Sequence, residues 1–106
     1  MANIVIKKRI SLDYLGEEYA KGYIDFKSIS IREVEAKIDE LEAVGEDNKQ
    51  ALKIMIELLE KQFITGQFFI NEKSEEITKE DIKDFDVNSI MKFFGVLSGK
   101  EGDLKV

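Results

Sequence analysis

The hydrophobic period of this chain changes once, and that change fixes the class of fold. Up to Phe26 the apolar residues recur at period two: Ile4 and Ile6, then Ile10, Leu12 and Tyr14, and a second β-rich run holds Tyr19, Tyr23, Ile24 and Phe26. Leu15-Gly16-Glu17-Glu18 lies between the runs, and a glycine that can take positive φ suits a chain reversal there. An antiparallel β-hairpin is expected. At Ser30-Ile31-Arg32-Glu33 the period becomes helical, because the Ser hydroxyl can accept from the third backbone N–H and Glu33 can reach back to complete a capping box.

Ile31, Val34, Ile38, Leu41 and Val44 then form one stripe on an otherwise charged helix, which Gly45 ends. Glu46 and Asp47 put negative charge at the start of a second helix, where the macrodipole favours it. That helix is expected to run to about Ile64 and to stop near Gly66. Its face of Leu52, Met55, Ile56, Leu59 and Phe63 is widened by Ala51, Ile54 and Leu58, so it suits the centre of the core or a partner on its second side. A polar loop is expected over Asn71–Glu76. A short helix should begin at Thr78 and carry Ile82 and Phe85 inward. Asp86 should cap a last helix with a stripe of Val87, Ile90, Met91, Phe94 and Leu97, closed by Gly99. The expected fold is α+β: an N-terminal hairpin, then three to four helices, in one domain over residues 1–106, with about 4–99 ordered and 100–106 a flexible tail.

The 106 residues include no Cys, His, Pro or Trp. Disulfides, thiolate nucleophiles, Cys-ligated metals and Ser-His-Asp or HExxH chemistry are therefore excluded. Asp84-x-Asp86-x-Asn88 copies the first half of a calcium loop, but Ser89 and Gly95 stand where the sharp-turn Gly and the bidentate Glu belong. No phosphate-cradling glycine motif occurs, and the acids of the first helix lie on its polar side. No catalytic, cofactor or metal site is expected, and the protein is read as a non-enzyme.

The formal net charge of −6 argues against nucleic acid, and no stretch is long and apolar enough to span a membrane. Residues 31–60 alone carry −5. Lys7-Lys8-Arg9 is the one basic cluster; it reads as protection of an edge strand or as a docking point for an acidic partner or a neighbouring subunit. Six of the seven Phe fall in the last 45 residues or so, which is crowded for one small core. Phe93 lies off the last helix's stripe, and adjacent Phe68 and Phe69 cannot point the same way. Phe68, Phe69 and Phe93, with Ile54 and Leu58 on the second helix, are the candidate protein-binding residues.

The succession KKRISLDYLGEEY, YIDF, SISIREVEAKI, ALKIMIELLEKQFITGQF and ITKEDIKDFDVNSIMKFFGVLSG covers almost the whole chain. It resembles the small tail assembly chaperones of long-tailed bacteriophages. The resemblance implies a non-structural assembly factor that binds the tape measure protein, keeps its long apolar helix soluble and helps recruit tail tube subunits. It also implies work in the host bacterial cytoplasm, absence from the mature virion, and possible homo-oligomers. The alternative is a small phage or bacterial adaptor, for head-tail joining or regulation, that docks through an acidic surface.

Overall fold

Among the described residues, four antiparallel strands form a sheet in the order β1-β2-β3-β4, and three α-helices pack with it. The computed structural model describes residues 6–70 and 73–99. Ile4, Asn71, Glu72 and the expected tail at 100–106 lie outside the described residues.

β1 (Lys7–Ser11) pairs with β2 (Tyr23–Lys27), with Arg9 opposite Asp25 and Ile10 opposite Ile24. The reversal is not tight: two 3₁₀ turns, Asp13–Leu15 and Glu17–Tyr19, meet at Gly16, whose φ of +133° only glycine holds without strain. Tyr14 therefore belongs to a turn and not to the first strand.

The expected capping at Ser30 is present in one direction, its Oγ accepting from the Glu33 N–H at 3.2 Å. Helix α1 (Ile31–Val44) follows, and Gly45 with φ +60° closes it. Asp47 caps α2 (Asn48–Gln62) by accepting from the Gln50 N–H at 3.2 Å.

The sequence expectation fails next. α2 stops at Gln62, and Phe63–Ile70 is strand β3, paired with β2 and then with β4 (Lys73–Glu76). Phe63-Ile64-Thr65 and Phe68-Phe69-Ile70 are β-branched or aromatic, the residue types that fit a pleated surface. A bulge at Ile64 shifts the register so that Asp25 faces Thr65 while Phe26 faces Phe63. Gly66 is no helix stop: a Cβ there would lie 3.0 Å from the Tyr23 carbonyl oxygen and 3.0 Å from Ile77 Cδ1, so the strand needs a residue without a side chain. Gln62 holds the helix-to-strand corner, its Nε2 donating to the carbonyls of Lys27 and Ser28 at 3.1 and 3.3 Å.

After β4, Thr78 and Asp81 cap a 3₁₀ turn over Lys79–Asp84, the Asp81 carboxylate accepting from the Thr78 N–H at 2.8 Å. Ile82 is fully buried. Helix α3 (Val87–Leu97) closes the described fold. One face of the sheet meets the helices through Ile10, Leu12, Ile24 and Phe26, which pack with Leu59, Ile77, Ile82, Ile90, Phe93 and Leu97. The α+β class holds, with four strands in place of one hairpin.

Candidate functional site

The helix α1 carries no buried residue. Val34, Ile38, Leu41 and Val44 are half-covered, and Ile31 is 78% exposed. Capping at both ends makes this segment a helix, while its one apolar residue per turn is too narrow a stripe to reach both α2 and the sheet. A Lys61–Glu33 ion pair at 3.6 Å joins the start of α1 to the end of α2, and Lys37 pairs with Glu40 at 2.9 Å. Two cations stand against five carboxylates on this helix. Its surface is a partly open apolar strip with an acidic border.

Of the sequence-derived contact residues, Ile54 is half-buried on α2 and Leu58 is buried. Phe68 and Phe69 point to opposite sides of β3, as adjacent strand residues must, and both are half-covered. Phe68 stacks on Phe85 at 5.9 Å and meets Tyr19 edge-on at 5.7 Å. Phe93 is corrected outright: it is wholly enclosed, 5.8 Å from Phe26 and 5.2 Å from Phe85. The five candidate protein-binding residues are thus divided between core and periphery.

The cause is a rotation of α3 relative to the expected stripe. Its buried residues are Ser89, Ile90, Phe93, Phe94 and Leu97, whereas Val87 and Met91 are 51% and 53% exposed. A polar clasp sets that rotation. Tyr14 Oη donates to Ser89 Oγ at 2.7 Å, and Ser89 Oγ in turn donates to the Asp86 carboxylate. The hydrogen bond from Ser89 holds the Asp86 carboxyl below its ordinary range, and burial pushes the Tyr14 phenol up. Asp86, the middle residue of the calcium-like triplet, is thereby engaged by Ser89.

On the other face of the sheet, Asp25 is fully buried beneath cations. Arg9 holds it with a fork, Nε to Oδ1 at 2.8 Å and Nη2 to Oδ2 at 3.0 Å, while Lys7 Nζ lies 3.7 Å from Oδ2. The guanidinium stacks over the Tyr23 ring at 3.8 Å, and its bond to Asp25 raises the Arg9 pKa. A groove of about 410 Å³ runs beside α2, floored by Leu52 and Ile56 and bordered by Lys49, Lys53, Lys83, Glu57 and Glu60.

Among the described residues no helix is long and apolar enough to cross a membrane, and no three acidic side chains gather to hold a metal. The α1 strip was missed because its spacing reads as a core stripe; the signal that could have exposed it is its width of one residue per turn. No protein-family model matches the chain, and neither a known protein nor a solved structure matches it.

Proposed function

We propose that this protein is a non-enzymatic assembly chaperone of the phage-tail type, and that α1, with the adjoining face of α2 at Ile54, is where it covers an apolar helical segment of its client. The observation that carries the reading is a capped, fourteen-residue helix with no buried residue and an apolar strip along it. A helix laid into such a strip exchanges solvent for apolar contact on both sides.

The acidic border selects the client's chemistry. Five carboxylates favour an amphipathic helix with basic flanks, and they oppose pairing of α1 with a second α1, which would bring Glu35 and Glu40 of the two copies together in the antiparallel register. The tape measure protein is the client this reading names, with tail tube subunits as a second partner, in the host cytoplasm and outside the finished virion. Phe69 remains a candidate secondary contact; Leu58 and Phe93 are withdrawn because both are enclosed.

The test is co-expression with the tape measure protein encoded nearby. The wild-type chain should hold that protein in the soluble fraction and co-purify with it. Failure to co-purify with either the tape measure or the tail tube protein overturns the proposal.

A further inference from the structure

The basic cluster has no part in that reading, and the sheet gives it a place. β1 is an edge strand, paired on one side only among the described residues. Its hydrogen-bond phase is set at both ends: the Ser28 N–H donates to the Ile6 carbonyl at 2.7 Å, and the Leu12 N–H donates to the Gly22 carbonyl at 3.0 Å. Ladder bonds fall on alternate residues of an antiparallel pair. Ile6, Lys8, Ile10 and Leu12 therefore turn their backbone groups toward β2, and Lys7, Arg9 and Ser11 turn theirs outward.

The same three residues place their side chains on the sheet face away from the helices, beside Tyr23 and Asp25. The fork to Asp25 and the stack on Tyr23 hold the Arg9 guanidinium in one orientation, and Lys7 leans on the same carboxylate. Two cations thus share one buried acid, and their side chains remain 53% and 54% exposed.

We propose that β1 is a strand-addition edge for an extended, acidic segment of a partner protein. Backbone pairing to Lys7, Arg9 and Ser11 supplies affinity that any extended chain could use. Choice of partner comes from charge. Lys7 and Arg9 stand two residues apart on one face, so an incoming strand matches them with carboxylates on alternate residues. A second copy of β1 is the wrong occupant, because KKRIS holds three cations and no acid, and any self-pairing sets like charges side by side. The opposite edge is unsuited: β4 is only four residues, of mixed charge and fully exposed.

The experiment uses the full chain, isotopically labelled for amide NMR, titrated with a capped peptide of about seven residues alternating Glu and Val, and with its Lys-for-Glu counterpart. The Glu peptide should slow amide exchange at Lys7, Arg9 and Ser11 and bind at least about tenfold tighter than the Lys peptide, the gap narrowing with salt. Arg9→Gln should remove most of that preference. Ser11→Pro removes an outward N–H while sparing every β1–β2 ladder bond, so it should weaken binding in a chain whose spectrum stays dispersed. Equal affinity for the two peptides, shifts confined to α1, or no protection along β1 at millimolar peptide overturns the proposal, and the wild-type titration decides even if Ser11→Pro does not fold.

Discussion

Phe93 and Ile31 are both large apolar residues on helices, and burial separates them completely. Phe93 contacts Phe26, Phe85 and Tyr14, so Phe93→Ala should leave a cavity and lower unfolding free energy by about 3–5 kcal/mol in urea denaturation. Ile31→Ala should change stability by no more than about 0.5 kcal/mol. The Tyr14-Ser89-Asp86 clasp makes a second residue-scale prediction. Ser89 is fully buried, so Ser89→Ala deprives Tyr14 of its acceptor and Asp86 of its donor, at a cost of about 1–3 kcal/mol. The sign of the pH effect follows from the direction of the shift. Asp86 is held below its ordinary value, so its contribution is complete above the normal carboxylate range and is lost as pH falls through the lowered folded value. Acid titration should therefore show a decline in stability that is smaller in Ser89→Ala than in the wild type, because backbone N–H groups at the start of α3 still favour the Asp86 carboxylate. Tyr14 is shifted up, so its contribution holds below the ordinary phenol range and fades as pH rises above about 10.

At the scale of elements, the helices and strands differ in how openly they are written. Ser30 and Gly45 bound α1, and Asp47 starts α2, where capping chemistry indicates; caps act within a turn and need no tertiary knowledge. β3 was hidden because Phe63 and Ile64 continue the apolar pattern of α2, and because Gly66 looks like punctuation. Only the approach of Ile77 and the Tyr23 carbonyl reveals why glycine is there. Gly66→Ala should accordingly destabilise the sheet by about 1–3 kcal/mol, read as a lower urea midpoint with unchanged slope. The facing of α3 was illegible for a similar reason: Val87 and Met91 fit the stripe by spacing, yet the distant Tyr14 hydroxyl draws Ser89 inward instead. Of the candidate contacts, the opposite pointing of Phe68 and Phe69 was legible from their adjacency, whereas the enclosure of Phe93 depended on long-range packing against Phe26 and Phe85. Amide exchange should distinguish the elements as well, α1 exchanging faster than the paired centre of β2 and β3, since α1 has no fully buried residue.

Across the whole molecule, charge is sorted by surface. The acid excess of residues 31–60 lies on α1 and on Glu46 and Asp47 just before α2, and the +3 of Lys7-Lys8-Arg9 lies on the edge strand β1. Two surfaces of opposite sign suit a protein that brings two different partners together, and both contacts should weaken as ionic strength rises. The central claim is that α1 stays partly open in order to cover something else. Its most direct test is the double variant Ile31→Glu with Ile38→Glu, co-expressed with the tape measure protein and compared with the wild type by the soluble fraction of that client. The account predicts a folded, soluble variant that leaves the client in the pellet; a variant that keeps the client soluble as well as the wild type does would contradict it.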